Sequence, residues 1–529
     1  MKHRKIVRLM ALVALLALVG TACAKKTNTG GKKTADNIVW GTTDAETSND
    51  PAKCYEFFCG NIIQLTYSRL VSYPAEGSAL QPDAAQSLPT ISPDGLTYTF
   101  KLRSGLKFSD GSVLDSSAVK YSLDRAIKLK SDASAGFLLT DVMASVDAPD
   151  ASTVVIKLKH ADASWLSKLS FTVASIVNPR VMSADKIAEN KIIAGGGAYQ
   201  MDPSKYLEGQ SMQLDANANA AKKAKTKTVL IKFYKSSSAL KVALQNKEVD
   251  VAFHTFLPTE ISALRADSGI TTTGPAVGRI RFLVFDVKQK PFDNINVRKA
   301  VAAAIDRDQL NTDAFNGTAK PLWSMLRSTF DSYKEVFKDT YGAKPDKTKV
   351  DGFLTAAGIP AGQKVDIQLW ASTNHYGDAE QDAQESIRRQ LVATGRFNVT
   401  SKTQDWAAYR DALAKAPAGT FGLFLLGWFP DYIDPDDYFS PFIGTEGAKS
   451  QGSFYSDPAI DQQITQEEST TDQTARDQIF KDLQQVIADK ALYVPLWEEA
   501  EFVFTQKSVT GTKIDVTSFL RAEELVKSA

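Results

Sequence analysis

The sequence predicts an α/β protein built from more than one domain. Its 529 residues exceed the length that one hydrophobic core usually serves, so two or three domains are expected. Segments with a helical period of apolar residues alternate with apolar segments of strand length, which is the pattern of α/β lobes. An apolar fraction of 43% and a charged fraction of 23% are ordinary for a globular protein.

The predicted elements follow one another along the whole chain. Strands are predicted over residues 38–41, 96–102, 229–234, 281–286, 365–370, 421–428, 493–497 and 502–504. Helices are predicted over residues 62–70, 116–127, 239–246, 297–305, 380–394 and 475–489. Asp115 is the expected N-cap of the second of these helices, because its carboxylate can accept hydrogen bonds from the first turn.

Residues 1–22 are predicted to be a signal peptide. Four basic residues among the first eight precede an apolar segment, residues 9–19, that is too short to span a bilayer comfortably. The small residues before Cys23 resemble the bacterial lipobox, with Gly20 in the place where leucine is usual. That resemblance implies that Cys23 is lipidated and becomes the mature N-terminus, and an ordinary secretory cleavage site near Ala22 is the alternative.

The segment that follows predicts a flexible tether, residues 23–36, between the anchor and the folded body. Residues 27–36 carry almost no apolar side chain and cannot bury surface. Loss of the four basic residues of the signal peptide changes the formal net charge from +1 to −3. Neither value indicates nucleic-acid binding. The body is therefore expected outside the cytoplasmic membrane, anchored to its outer face.

The other two cysteines, Cys54 and Cys59, are expected to form a disulfide. An exported chain occupies an oxidising compartment, where such pairs form and persist. The four histidines are scattered along the chain, and none stands near a cysteine at ligand spacing. The sequence therefore predicts neither a metal site nor a cofactor.

One long segment carries a family resemblance. Residues 94–111 read Asp-Gly-Leu-Thr-Tyr-Thr-Phe-Lys-Leu-Arg-Ser-Gly-Leu-Lys-Phe-Ser-Asp-Gly, and residues 119–125 read Val-Lys-Tyr-Ser-Leu-Asp-Arg. In order and spacing they resemble the signature of family 5 extracellular solute-binding proteins, which include the oligopeptide- and dipeptide-binding components of ABC importers. Further blocks at residues 195–199, 290–300 and 304–307 fall in the family's order. The resemblance covers the chain after residue 36.

The resemblance implies a two-lobed periplasmic-binding-protein-like fold (type II, cluster C) with a ligand cleft between the lobes. The first lobe is expected to combine residues 37–79, 176–278 and 501–529. An extra subdomain of that lobe is expected over residues 80–175, and the second lobe over residues 279–500. The glycine cluster at residues 195–197 could also indicate a phosphate-binding loop, but no Lys-Ser/Thr pair follows it.

The candidate site lies in residues 421–438. An apolar strand there runs into a loop with two prolines, because proline cannot continue the ladder. In peptide-binding members of the family, an aspartate after the Trp of the Gly-Trp strand pairs with the peptide's α-ammonium, and Asp431 follows Trp428 at the same spacing. Trp428 and Tyr432 are candidates for the pocket wall.

The other acidic residues of this loop are not expected to contact a ligand. Asp434 is expected to shape the turn, and Asp436 is expected to be exposed. From composition alone, the whole segment could be an acidic, solvated surface loop, since it holds four aspartates.

The expected function is capture of peptides between two closing lobes and delivery to the transmembrane subunits of an ABC permease, by a monomeric lipoprotein. Relatives of this fold bind oligosaccharides, nickel complexes, haem and other solutes, so another ligand on the same scaffold is the alternative. An exported hydrolase using Asp431 and Asp434 as an acid/base pair is the remaining alternative. No Gly-x-Ser-x-Gly or His-Glu-x-x-His motif supports it, so no catalytic residue is predicted.

The lipobox interpretation predicts that Cys23→Ser releases the protein from membranes, because the thiol is the group that receives the lipid. The measurement is the share of the protein that sediments with membranes in cells expressing either form. Membrane association of the serine variant equal to that of the parent would contradict lipidation at Cys23.

Overall fold

The computed structural model describes residues 34–129, 135–254, 256–373, 375–377, 379–415 and 421–528. The predicted signal peptide and Cys23 lie outside these ranges. Within them, no helix combines the length and the apolar character needed to cross a membrane. The last residues of the predicted tether are ordered: Thr34–Ala35 pairs antiparallel with Val526–Ser528. The flexible tether stays a prediction, and its last residues have a backbone partner in the C-terminal strand.

One large sheet runs through both lobes. In spatial order its strands are Phe397–Gln404, Val365–Ser372, Leu423–Trp428, Ile270–Phe285, Tyr493–Gln506, Val251–Phe253, Asn37–Thr42, Thr228–Phe233, Ser211–Ala216 and Tyr199–Leu207. The short strand Lys320–Pro321 pairs with Tyr493–Gln506 off this path. The sheet is mixed: Val365–Ser372 lies parallel to Phe397–Gln404, whereas Leu423–Trp428 lies antiparallel to Ile270–Phe285.

Two long strands connect the halves of this sheet. Ile270–Phe285 and Tyr493–Gln506 pair antiparallel, from Ile270 opposite Gln506 to Val284 opposite Tyr493. The sequence predicted separate strands at residues 493–497 and 502–504. The structure joins them into one, because the partner strand continues past both segments.

A smaller sheet forms the subdomain. Its strands, in spatial order, are Thr90–Ile91, Thr97–Lys101, Thr153–Leu158 and Met143–Asp150. Two short pairings complete the strands: Val71–Ser72 with Gln81–Pro82, and Val509–Thr510 with Val526–Ser528.

The helices surround the sheets. The α-helices span Phe57–Thr66, Ser116–Lys128, Phe137–Thr140, Trp165–Leu169, Ser237–Gln245, Pro258–Ala266, Ile295–Ala302, Arg307–Phe315, Val336–Tyr341, Lys347–Ala356, Ala379–Ala393, Trp406–Lys415, Ser440–Ile443, Thr445–Ser450, Pro458–Ser469 and Gln473–Lys490. Short 3₁₀ helices span Thr172–Ala174, Pro435–Tyr438 and Ala522–Glu524. Asp115 caps its helix as predicted, since its carboxylate accepts from the Ser117 and Ala118 amides. The helix predicted over residues 62–70 instead spans Phe57–Thr66, so its prediction was displaced by about one turn.

The buried apolar side chains fall into separate cores. One core draws its residues from positions 280–497 and forms the second lobe. A second core belongs to the subdomain and draws its residues from positions 70–176. Tyr432 of the second lobe also packs into it. The first lobe's main core combines residues from positions 38–67 and 177–253 with residues from positions 503–525. This division supports the predicted domain bounds, which remain a prediction.

The glycine cluster at residues 195–197 is a packing feature. A Cβ atom at Gly195 would lie 2.3 Å from the Thr66 carbonyl oxygen, and one at Gly197 would lie 2.4 Å from the Thr66 carbonyl carbon. Two stretches of backbone approach so closely here that only glycine fits. That close packing accounts for the cluster without a phosphate.

Candidate functional site

A cavity of about 940 Å³ lies between the two lobes. The first lobe contributes Tyr55 and Phe57, the subdomain contributes Lys168, and the second lobe contributes Trp428 and Asp431. Its volume is at the upper end of the range of protein sites for small ligands. The acidic loop singled out in the sequence is therefore part of a cleft wall.

The strand Leu423–Trp428 delivers the acidic loop to this cleft. Trp428 is its last residue, opposite Ile280 of the crossover strand. Beyond it, the Trp428 Nε1 and the Asp431 amide both donate to the Oδ2 of Asp437, at 2.8 and 3.1 Å. Asp437 thereby ties the two ends of the loop together and fixes where Asp431 stands.

Asp431 is a buried carboxylate with no cationic side chain beside it in the described part of the chain. It is 7% exposed, and the Tyr55 hydroxyl donates to its Oδ2 at 3.0 Å. No Lys, Arg or His side chain of the described ranges lies within 4.0 Å of it. Burial raises the pKa of the Asp431 carboxyl to about 7, and the hydrogen bond from Tyr55 acts in the opposite direction. When it is ionised, the Asp431 carboxylate is therefore a negative charge without a cationic partner in the described part of the chain.

Asp434 is paired and structural. Its carboxylate accepts two hydrogen bonds from Arg476, at 2.7 and 2.8 Å, and a third from the Asp436 amide at 2.9 Å. The expectation that Asp434 shapes the turn is confirmed by this last contact. The bidentate contact with Arg476 neutralises its charge.

Asp436 contradicts its prediction. It was expected to be exposed and is 1% exposed. The subdomain packs over the loop, placing the Lys168 Nζ 3.9 Å from its carboxylate, and the Tyr432 hydroxyl donates to it at 2.6 Å. The interpretation of the loop as a solvated surface loop is wrong because the subdomain covers it.

Asp437 is the most deeply buried of the four. Burial, followed by the nearby Asp431 carboxylate, raises its pKa well above the usual range of an aspartate. Burial therefore favours the protonated form of the Asp437 carboxyl. Its hydrogen bonds with Trp428 and the Asp431 amide order the loop.

Trp428 and Tyr432 both line the cavity. The Trp428 ring lies edge-on to Phe442, with centroids 5.1 Å apart, while the Tyr432 ring packs into the subdomain core beneath the Lys168 Nζ, which is 4.9 Å from its centroid. Both side chains have structural partners, and their contact with a ligand stays a prediction.

Several cleft residues were beyond the reach of the sequence analysis. Trp406 lines the cavity and stacks on His375 with centroids 3.7 Å apart. His254, stacked on Phe57 at 4.2 Å, donates to Asp44. Although burial opposes it, the carboxylates of Asp44 and Glu501 raise the pKa of His254 to about 10. His254 and Asp44 are 210 positions apart in the chain, so no local pattern connects them.

Across the described ranges, no group of three His, Cys, Asp or Glu side chains is arranged to hold a metal ion.

Comparison with known proteins identifies the family. The sequence profile of the middle region of bacterial extracellular solute-binding proteins, family 5, matches residues 79–450. The chain belongs to this family. It is 26% identical to the glutathione-binding protein GsiB of Pectobacterium atrosepticum over 502 residues, which cover 91% of this chain and 92% of GsiB.

Solved structures of this type share the fold. DppA of Helicobacter pylori, an ABC transporter-associated periplasmic binding protein in complex with the peptide STSA, superposes with a TM-score of 0.75 at 22% identity, covering 93% of this chain and 98% of DppA. NikA of Staphylococcus aureus in complex with Ni(L-His)₂ gives a TM-score of 0.73 at 17% identity, covering 93% and 100%. The fold is therefore the two-lobed fold of family 5 solute-binding proteins of ABC importers, as the sequence predicted.

A buried arginine supports the strand behind the acidic loop. Arg281 is fully buried, forms an ion pair with Glu380, and stacks over the Tyr376 ring at 3.3 Å. A Cβ atom at Gly427 would lie 2.0 Å from the Arg281 Nη1. Gly427 is therefore required for Arg281 to lie flat against the strand that ends at Trp428.

Gly427→Ala is expected to lower the free energy of unfolding by roughly 1–3 kcal/mol, because Arg281 is held too firmly to move aside. Gly352 is a matched control: it lies in the helix Lys347–Ala356 and a Cβ there meets nothing within 4 Å. Gly352→Ala should leave stability unchanged or raise it by up to about 1 kcal/mol. Urea unfolding measures both, and equal effects of the two substitutions would contradict the packing role of Gly427.

Proposed function

We propose that this protein is the peptide-binding component of an ABC importer and that Asp431 holds the α-ammonium group of its ligand. The observation that carries the proposal is the buried, cation-free carboxylate of Asp431 in the wall of the interlobe cavity. A charge taken out of water requires a partner. A peptide's ammonium supplies the partner that the described chain lacks, at the position that the family resemblance indicates.

The remainder of the cleft fits an extended, amphipathic ligand. Aromatic rings of Phe57, Trp406 and Trp428 line it together with the charged side chains of Lys168 and Arg410. Backbone groups at strand ends can bind a peptide main chain with little dependence on its side chains. Such a site favours a peptide over a ligand that carries no amine.

Closure of the lobes is the proposed capture step. The two crossover strands act as the hinge, and the ligand favours the closed state because it contacts both lobes at once. The proposed partners follow from the family: transmembrane permease subunits receive the ligand, and a lipid on Cys23 keeps the binding protein at the membrane surface.

Asp431→Asn is expected to weaken the binding of a free-amine peptide such as trialanine at least about tenfold. Asparagine keeps the shape of the side chain but removes the charge, and loss of one partner of a buried charge pair costs roughly 2–5 kcal/mol. Isothermal titration calorimetry measures the dissociation constant of each form.

Two controls make this result specific. Asp382 is an exposed aspartate outside the cavity, so Asp382→Asn should bind trialanine like the parent. N-acetyl-trialanine should bind the parent as poorly as trialanine binds Asp431→Asn. Equally tight binding of the acetylated peptide would exclude the ammonium contact and favour another solute, such as an oligosaccharide.

Peptide affinity is expected to rise as the pH rises towards neutrality. The pKa of Asp431 in the free protein is about 7, and the ammonium pairs with its ionised form. Trialanine should therefore bind about tenfold more weakly at about pH 5.5 than at about pH 7.5. Above about pH 8 its affinity should fall below the value at about pH 7.5, because the α-amino group of the peptide loses its proton. Titrations across this range measure the profile. Asp431→Asn should abolish its acidic limb, and an unchanged limb in that variant would assign the titration to another group.

A further inference from the structure

The disulfide between Cys54 and Cys59 closes a small ring at the edge of the cleft. Both cysteines are buried in the core of the first lobe, whereas Tyr55, Glu56 and Phe57 line the cavity. The ring is therefore anchored from behind and presents three consecutive side chains to the cleft.

Two of these side chains reach the second lobe. The Tyr55 hydroxyl donates to the Oδ2 of Asp431 at 3.0 Å, and the Phe57 ring meets Phe429 edge-on with centroids 5.2 Å apart. The Tyr55 ring itself rests edge-on against Phe137 of the subdomain, at 6.0 Å. The ring closed by the Cys54–Cys59 disulfide thus contacts the loop that carries the proposed ammonium site.

The hydroxyl of Tyr55 has a defined role in this contact. A phenol carries one proton and can also accept hydrogen bonds. Its proton is directed to Asp431, so towards a ligand the oxygen can only accept. The Oδ1 of Asp431 receives no hydrogen bond from the described chain. An ammonium beside Asp431 would therefore meet two acceptors, the Oδ1 of Asp431 and the Oη of Tyr55.

We propose that the Cys54–Cys59 ring holds Tyr55 as the second acceptor for the ligand's ammonium, so that Tyr55 selects a primary ammonium and the closed ring sustains ligand affinity. The inference rests on the proposed peptide function. It adds a residue of the first lobe to a site otherwise built from the second.

The disulfide matters because it restricts where Tyr55 can go. A dithiol reductant transfers two electrons and two protons to the ring: the S–S bond breaks, two thiols form, and the dithiol becomes a cyclic disulfide. Opening the ring releases backbone freedom that ligand binding must then remove, which weakens binding. Affinity should consequently depend on the redox state of one small loop.

The pH profile separates a role at the ammonium site from a general loss of structure. Because the hydrogen bond from Tyr55 lowers the pKa of Asp431, removing the hydroxyl raises that pKa further and shifts the affinity profile to higher pH. The other charged and titratable groups that line the cavities beside Asp431 remain in place: Glu56, Arg69, Asp141, His160, Lys168, His254, Arg279, His375, Arg410, Tyr376, Tyr432, Asp436, Asp437, Glu446, Glu468, Tyr73 and Asp515.

The first experiment compares Tyr55→Phe with the parent by calorimetry, using trialanine and its N,N-dimethyl derivative. The parent should prefer the primary ammonium about tenfold, because the dimethylammonium offers one N–H to two acceptors. Tyr55→Phe should lose most of this preference and shift its pH profile upwards. Tyr206→Phe is the matched control, since the Tyr206 hydroxyl donates to Glu46 at 2.6 Å outside the cavity.

The second experiment tests the ring in a Cys23→Ser background, in which Cys54 and Cys59 are the remaining cysteines. Reduction with a dithiol, or the double substitution Cys54→Ser/Cys59→Ser, should weaken trialanine binding about tenfold while circular dichroism still reports a folded protein. If either substitution prevents folding, reduction of the folded parent and the Tyr55→Phe comparison still decide the question.

The outcomes separate the two levels of the proposal. Suppose that the oxidised parent binds trialanine. If Tyr55→Phe then keeps the parent's preference and pH profile, or if reduction leaves the affinity unchanged, the role of the disulfide ring is excluded and the proposed peptide function stands. If the oxidised parent binds no free-amine peptide, the proposed function fails, and the inference fails with it.

Discussion

The pairing of the two crossover strands is the constraint on which the rest of the structure depends. Ile270–Phe285 and Tyr493–Gln506 lie side by side from the first lobe into the second, next to Val251–Phe253 on one side and Leu423–Trp428 on the other. Any movement between the lobes must be absorbed within this pair. Its ladder is irregular between residues 273 and 282, where it passes from one lobe to the other. Interrupted pairing is where a strand bends most readily.

The crossover pair also determines where the acidic loop emerges. Leu423–Trp428 pairs with the second-lobe half of Ile270–Phe285 and ends opposite Ile280, where that strand leaves the lobe. The chain that follows must therefore enter the space between the lobes. There it meets the first lobe and its subdomain: Tyr73 donates to the Ile433 carbonyl at 3.1 Å, and Ala163 donates to the Glu468 carbonyl at 2.7 Å. The cleft is framed by contacts between lobes, and a ligand adds its own contacts to these.

Electrostatic pairing distinguishes Asp431 from its neighbours. Asp434 pairs with Arg476, Asp436 lies near Lys168, and burial raises the pKa of Asp437. Among the described residues, the side chain of Asp431 has a tyrosine hydroxyl as its hydrogen-bond partner. The hydroxyl limits the cost of the buried charge without neutralising it.

The sequence alone determined the α/β class, the helix cap at Asp115, and, through the family's motifs, the two-lobed fold and the choice of Asp431 as a candidate. Those features depend on local periodicity, on turn chemistry and on motif spacing, all of which are contiguous in the chain. Only the tertiary structure decided three further features. They are the environments of Asp436 and Asp437, the burial of the acidic loop, and the contact between Tyr55 and Asp431. Each depends on segments from different lobes, up to 376 positions apart, and burial and pKa are properties of that assembled surrounding rather than of any stretch of sequence.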